Sequence, residues 1–132
     1  MRFLKARFPF DIMKKTNHKE VSEMLSEMMK EELVHGLREI FHENMRMVIL
    51  YGSVAREEST PESDIDIAII MREDIDEKTQ EKFFQWSADM DLKYDRVFSI
   101  IDIPEERMEK WGKILPFYKN VQEEGIILWK AA

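Results

Sequence analysis

Two aspartates separated by one residue stand at the start of an apolar run. Residues 64–71 read DIDIAIIM, and because side chains alternate across a strand, Asp64 and Asp66 point to one face. Two carboxylates held roughly 5–7 Å apart repel each other and are costly to bury unless a cation or a proton offsets their charge. Magnesium prefers hard oxygen ligands, usually one or two carboxylates with waters and phosphates. The spacing therefore favours a divalent metal site that is open to phosphate.

A Gly-Ser pair precedes these aspartates. Gly52 and Ser53 follow the apolar run MRMVILY, and glycine lets the backbone approach a ligand closely. The backbone N–H groups of a helix that starts here, together with the Ser53 hydroxyl, suit phosphate oxygens. Arg56, one turn further on, is placed to add a charge-assisted contact. We therefore expect Gly52, Ser53 and Arg56 to bind the phosphates of a nucleotide beside the metal.

The spacing of these two motifs resembles a known signature. "GS", ten intervening residues and "DID" resemble the Gly-Ser and Asp-x-Asp signature of the polymerase-β-like nucleotidyltransferase superfamily. The longer form "GSVAR…SDIDIAI" is similar to its minimal nucleotidyltransferase branch, small proteins often encoded beside a HEPN-domain partner. The resemblance implies transfer of an NMP, most simply AMP from ATP, to a hydroxyl acceptor with two Mg²⁺ ions. For a HEPN-paired protein, the acceptor would be a tyrosine of the toxin partner, and the chain would act as an antitoxin.

The resemblance also implies a third carboxylate on a neighbouring strand, where it would bind metal and help to activate the hydroxyl. Asp95 and Asp102 compete for this role. We favour Asp95, because it opens the predicted strand YDRVFSIIDI at the end where a strand antiparallel to its neighbour would meet Asp64 and Asp66. The predicted catalytic and metal-binding set is therefore Asp64, Asp66 and Asp95.

Plainer interpretations remain beside this one. Asp64 could cap a turn, Asp66 could form a salt bridge, and Ser53 could be a simple helix N-cap. Glu57 and Glu58, where many relatives have glycine after the arginine, add negative charge close to the expected phosphates. The fold could also serve as a non-catalytic module that neutralises a toxin. A small-molecule nucleotidyltransferase of the aminoglycoside type would share the chemistry, but it usually has a second, acceptor-binding domain.

The elements that must position these residues follow from periodicity. The i,i+4 ladder from Leu25 to Phe41 predicts a helix over Asn17–His42, whose start resembles a capping box. Strands are predicted over Met45–Tyr51, Asp64–Met71 and Tyr94–Ile103, and a second helix over Asp76–Asp91. Helices after Pro104 and Pro116, the last stopped by Gly125, precede an apolar IILW tail. This order predicts an α+β (α/β two-layer) fold with a small mixed sheet of about three to five strands, flanked by helices.

Length and composition restrict the remaining possibilities. With 132 residues the chain has room for one domain, which we place at 17–132 behind a leader of uncertain structure at 1–16. The net charge of −7 argues against nonspecific binding to nucleic acid. The absence of cysteine fits a reducing compartment, so we expect a cytoplasmic protein. No apolar run approaches the roughly 20 residues that span a bilayer. The expected partners are a nucleoside triphosphate and a HEPN-type protein or a second copy of the chain.

Overall fold

The computed structural model describes residues 26–56 and 63–132, which form a mixed β-sheet with helices on both faces. The elements are α1 (Glu27–Phe41), β1 (Met45–Tyr51), α2 (Gly52–Ala55), β2 (Ile65–Met71), α3 (Glu77–Tyr94), β3 (Phe98–Pro104), α4 (Glu105–Trp111), α5 (Pro116–Glu124) and β4 (Ile126–Lys130). A 3-10 turn, His42–Asn44, links α1 to β1. The predicted α+β class and small mixed sheet are confirmed.

The four strands lie in the order β3-β2-β1-β4. Strand β1 pairs antiparallel with both β2 and β4, whereas β2 and β3 are parallel. Parallel neighbours need a long crossover, which α3 supplies. The expectation that β3 runs antiparallel to its neighbour is therefore wrong, because the helix between β2 and β3 returns the chain to the end at which β2 began. As a result, the starts of β2 and β3 lie side by side.

Each face of the sheet has its own apolar core. On one face, the isoleucines of β2 that alternate with Asp66 pack against α1 and α3, in a cluster that includes Leu33, Leu37, Ile65, Ile67, Ile69, Phe83 and Met90. On the other face, Ala68 and Ile70 pack with Met108 of α4 and Val121 of α5. Asp66 belongs to this second face, since it alternates with the same residues of β2. The carboxylates therefore lie on the α4 and α5 side of the sheet.

Several element boundaries differ from the sequence prediction. Helix α1 begins at Glu27, because the side chain of Ser26 accepts a hydrogen bond from the Met29 N–H in the extended N-cap conformation. The predicted start at Asn17, like the predicted leader 1–16, lies outside the described residues. Strand β3 begins at Phe98 rather than at Tyr94, since α3 continues through Tyr94 and Asp95 ends it in the left-handed conformation (φ 52°).

The apolar segment after Gly125 is a strand, not a tail. Residues Ile126–Lys130 form β4, which pairs antiparallel with β1 at the edge of the sheet. Within it, Leu128 is fully buried in the core beneath α1 and α3. A short apolar run without alternation is consistent with either a buried strand or a buried helix segment, and the pairing with β1 identifies this one as a strand.

Among residues 26–56 and 63–132, no helix combines the length and the hydropathy needed to cross a bilayer.

We predict that Leu128→Ala lowers the free energy of unfolding by about 2–4 kcal/mol, because it removes a fully buried side chain from the core. The measurement is chemical denaturation followed by circular dichroism. Leu92→Ala is the matched control, since Leu92 is 82% exposed and the same truncation there should change stability by less than about 0.5 kcal/mol. Equal effects of the two substitutions would contradict the assignment of β4 to the core.

Candidate active site

The aspartate pair lies at the start of β2. Asp64 immediately precedes the strand, and Asp66 is its second residue. The antiparallel register pairs Asp66 with Tyr51, the last residue of β1, so the start of β2 lies beside the end of β1. Gly52 and Ser53 follow Tyr51 directly. The strand pairing thus brings the Gly-Ser turn and the aspartate pair to one end of the sheet.

Gly52 is in direct contact with the carboxylate of Asp66. Its φ is +77°, a conformation that side chains other than glycine rarely adopt. A Cβ atom at this position would overlap Oδ2 of Asp66 and lie 3.0 Å from its Cγ. Glycine is therefore required twice here, by the backbone conformation and by the space that the carboxylate occupies.

Burial and a neighbouring charge disfavour the ionised form of Asp66. Its pKa is raised chiefly by partial burial and further by the charge of Asp64, while the positive charge of Arg56 lowers it. The pKa of Tyr51 is also raised, by burial first and then by the charge of Asp66. These four groups therefore share one electrostatic environment, in which negative charge is not fully compensated.

Arg56 lies at the end of α2 and forms an ion pair with Glu124 of α5. The distance from Nη1 of Arg56 to Oε1 of Glu124 is 3.3 Å, and both side chains are about two-fifths exposed. An exposed pair of this kind contributes little to stability, typically less than about 1 kcal/mol. The contact with Glu124 itself can therefore be replaced by a contact with a phosphate group at low cost.

The two candidates for a third carboxylate lie in different places. Asp95 ends α3, two residues before Val97, whose carbonyl accepts a hydrogen bond from the N–H of Ile65 at 2.8 Å. It is therefore at the same end of the sheet as Asp64. Asp102 is in register with Ile69, on the opposite face from Asp66 and further along the strand.

The residue of β3 that faces Asp66 is Ser99 rather than an acid. In parallel pairing, residues in register point to the same face, so the Ser99 side chain stands beside that of Asp66. The connection before β3 is held to the start of β2 by Arg96, which donates to the Ser63 carbonyl at 2.9 Å. The role predicted for Asp95 stays a prediction.

The donor set suits one divalent cation. Asp64 and Asp66 offer hard oxygen ligands on one face, and the pKa of Asp66 is raised first by its burial and then by the charge of Asp64. Magnesium commonly needs no more than one or two carboxylates when phosphates and waters complete its coordination. Within 26–56 and 63–132, no group of three His, Cys, Asp or Glu side chains is arranged to hold a metal ion. The residues thus fit an ion that is shared with phosphate.

Tyr51, Glu124 and Phe117 were not anticipated at this site. Tyr51 could have been found from its position before Gly52, at the end of a strand. Glu124 had no such signal, because its contact with Arg56 spans 68 positions and depends on how α5 crosses the sheet. Phe117 packs edge-to-face against Tyr51, with 5.7 Å between ring centroids, and it likewise depends on the placement of α5.

A family model described as "Polymerase beta, Nucleotidyltransferase" matches residues 35–131, which include both motifs and all four strands. The chain belongs to this nucleotidyltransferase family. It is therefore an enzyme of nucleotidyl transfer, as the sequence predicted, and its resemblance to the polymerase-β-like superfamily is confirmed. The matched range begins within α1 and ends one residue after β4. The nucleotidyltransferase unit thus includes α5 and β4.

One relative of similar length is a protein of Methanocaldococcus jannaschii. It bears the name "Putative protein adenylyltransferase MJ0604" and is 35% identical over 101 residues, which cover 74% of this chain and 92% of the relative.

Solved toxin–antitoxin complexes contain chains of the same fold. A chain in a toxin–antitoxin structure with AMP-PNP superposes with a TM-score of 0.57 at 18% identity, covering 77% of this chain and 73% of that one. A chain of the MntA-HepT toxin–antitoxin gives a TM-score of 0.50 at 17% identity, with 77% and 70% covered. At these identities the likeness establishes the shared fold.

We predict that Asp66→Asn stabilises the protein at pH 7, raising the unfolding temperature by about 2 °C. A raised pKa in the folded state means that deprotonation opposes folding. This penalty is absent below the ordinary pKa of aspartate, increases as the pH rises towards the folded value, and is complete above it. The gain should therefore disappear as the pH is lowered to about 4. Thermal unfolding at a series of pH values measures the difference, which is small because solvent screens the partly exposed carboxylate.

Asp102→Asn is the control for this prediction, because Asp102 is exposed and lies on the opposite face of the sheet. The Asp102→Asn substitution should leave the unfolding temperature unchanged both at pH 7 and at about pH 4. A lower unfolding temperature for Asp66→Asn at pH 7 would show that the carboxylate is stabilising, contrary to the electrostatic argument.

Proposed function

We propose that this nucleotidyltransferase moves AMP from ATP to a hydroxyl group of a partner protein, using magnesium bound at Asp64 and Asp66. The contact between Gly52 and the Asp66 carboxylate is the observation that carries the proposal. It joins a turn suited to phosphates to a pair of carboxylates suited to a metal, and nucleotidyl transfer needs both. The adenylyltransferase name of the M. jannaschii relative and the AMP-PNP in a complex of similar fold support an adenine nucleotide.

The residues of the Gly-Ser turn bind the triphosphate in this proposal. Because Gly52 has no side chain, the phosphates can approach the backbone closely, and the Ser53 hydroxyl donates to a phosphate oxygen. Arg56 exchanges Glu124 for phosphate and adds a charge-assisted contact. Positioning and charge compensation then supply most of the catalysis.

Asp64 and Asp66 hold the metal in the proposal. When bound, magnesium would offset the charge on the phosphates and orient the pyrophosphate for departure. The hydroxyl oxygen of the acceptor forms a bond to the α-phosphorus, and the bond from that phosphorus to the oxygen that bridges the α- and β-phosphates breaks. Pyrophosphate leaves with that oxygen, and the hydroxyl proton passes to a base or to water. Asp95 is the proposed carboxylate at this step, because it precedes β3 at the same end of the sheet as Asp64.

The acceptor in the proposal is a tyrosine of a HEPN-type toxin, and the chain acts as its antitoxin. Chains of this fold occur in toxin–antitoxin complexes, which supports a protein partner. A phenol is also a more acidic acceptor than an aliphatic alcohol, with a pKa of about 10. It therefore makes a smaller demand on the base that takes its proton.

We predict that the chain, incubated with α-labelled ATP, Mg²⁺ and the protein encoded beside it, transfers label to that protein. Asp64→Asn with Asp66→Asn should reduce the rate at least about 10³-fold, since positioning and charge stabilisation of the phosphates are lost. The measurement is label on the partner after denaturing electrophoresis. Asp89→Asn, an exposed acid on α3, should transfer at the wild-type rate. Stable complex formation without label, unaffected by the double substitution, would show a binding module instead of an enzyme.

Asp95→Asn should lower the transfer rate about 10²-fold or more, as expected for loss of a group that accepts a proton or binds metal. Asp102→Asn should leave it unchanged, because Asp102 lies on the other face of the sheet. Both are measured with saturating MgATP and partner, and thermal unfolding checks that each variant is folded. Wild-type activity of Asp95→Asn would remove this residue from the site.

A further inference from the structure

A second surface lies beside the active site, at the turn between α4 and α5. Residues 113–117, with the sequence KILPF, are five consecutive exposed positions. Three of them are large and apolar: Ile114, Leu115 and Phe117 are 65%, 39% and 42% exposed. Single exposed apolar side chains need no explanation, but a contiguous group of them is typical of an interaction site. We name residues 113–117 the KILPF surface.

The charge around the KILPF surface is opposite to that of the chain. Residues 110–119 include Lys110, Lys113 and Lys119 and contain no Asp or Glu, whereas the whole chain has a net charge of −7. All three lysines are exposed. A local cationic rim on an acidic protein attracts negatively charged groups and steers their approach.

The KILPF surface is connected to the active site through aromatic contacts. The ring of Phe117 packs edge-to-face on Tyr51 at 5.7 Å and on Tyr118 at 5.4 Å. Tyr51 in turn is in register with Asp66 and adjacent to Gly52. A molecule that covers Phe117 therefore lies next to Tyr51, at the edge of the candidate active site.

We propose that the KILPF surface binds the segment of the partner protein that carries the acceptor hydroxyl, and that this segment has apolar side chains flanked by acidic residues. The inference rests on the proposed function for the existence of an acceptor, and it adds where the acceptor binds and what its sequence is like. Apolar side chains of the segment cover Ile114 and Phe117, and its acidic residues meet Lys113 and Lys119. The lysines then determine which hydroxyl is modified, through the charge of the residues around it.

Two large exposed apolar side chains elsewhere in the described residues offer a contrast. Phe84 and Leu92 are 59% and 82% exposed, but both belong to α3, which packs on the face of the sheet opposite to Asp66. A segment bound there could not present a hydroxyl to Asp64 and Asp66. These residues therefore serve as controls of equal chemistry in the wrong place.

The test uses the full chain with Mg²⁺, AMP-PNP and two fluorescein-labelled peptides. Both peptides have a central tyrosine between two leucines; the outer residues are glutamate in one and lysine in the other. Fluorescence anisotropy should show that the glutamate peptide binds at least about 10-fold more tightly than the lysine peptide. Lys113→Glu with Lys119→Glu should remove this preference, and Phe117→Ser should weaken binding of both peptides about 5–10-fold, as loss of a packed aromatic anchor does.

Matched variants on α3 complete the design. Lys82→Glu and Phe84→Ser change exposed side chains of the same kinds and should leave peptide binding unaltered. The affinity for AMP-PNP, taken from its effect on the unfolding temperature, should be the same in all variants. A loss of AMP-PNP affinity in Phe117→Ser with peptide binding intact would assign Phe117 to the nucleotide base and overturn the proposal.

Two further results would also overturn it: equal affinity of the wild type for the two peptides, or no binding of either at about 1 mM protein. Because binding is measured with a nucleotide analogue and without transfer, the outcome is separate from that of the proposed function. Charge-selective peptide binding in a protein that transfers no label would uphold the KILPF surface and reject the proposed transfer to the partner. Label transfer without charge-selective peptide binding would uphold the proposed function and reject the role of the KILPF surface.

Discussion

The pairing of Tyr51 with Asp66 is the constraint on which the site depends. Antiparallel register between β1 and β2 places the start of one strand beside the end of the other, and Gly52 then lies against the Asp66 carboxylate. A shift of one residue would turn Asp66 into the core beneath α1 and α3 and move the isoleucines that fill it to the opposite face. Burial of Ile65, Ile67 and Ile69 therefore fixes the orientation of the carboxylates as firmly as it stabilises the sheet.

Helix α5 connects the parts of the site that the sheet does not. Its first turn carries Phe117, which packs on Tyr51, and its last residue, Glu124, pairs with Arg56. Val121, between them, is buried against the sheet and holds the helix in place. The same helix thus contacts Arg56, the residue proposed to bind phosphate, and carries Phe117 of the KILPF surface. Binding at one of these places can therefore affect binding at the other through the helix.

Local patterns predicted most of this fold, and long-range pairing accounts for what they missed. The bounds of β1 were predicted correctly, because an apolar β-rich run ends at a glycine. The start of β3 was predicted too early, since nothing in YDRV indicates that α3 continues to Tyr94. Strand β4 was missed because its short apolar run is ambiguous until it is paired with β1, which is distant in the sequence. Gly52 and Asp66 were correctly expected to lie close together. Glu124 and Phe117 were missed, because their positions at the site depend on the path of α5, which no local pattern encodes.

The metal nucleotide and the acceptor segment of the proposed reaction would bind at surfaces of opposite charge. At Asp64 and Asp66, negative charge is concentrated where the proposed metal would offset it, and the pKa of Asp66 is raised by its burial and by the charge of Asp64. An acidic acceptor segment would be repelled by this pair, and by the chain as a whole. The lysines of the KILPF surface provide the positive field that would bring such a segment in from the side of Phe117. Opposite charges on adjacent surfaces would thereby let an acidic protein bind both the proposed metal nucleotide and the proposed acidic segment without either excluding the other.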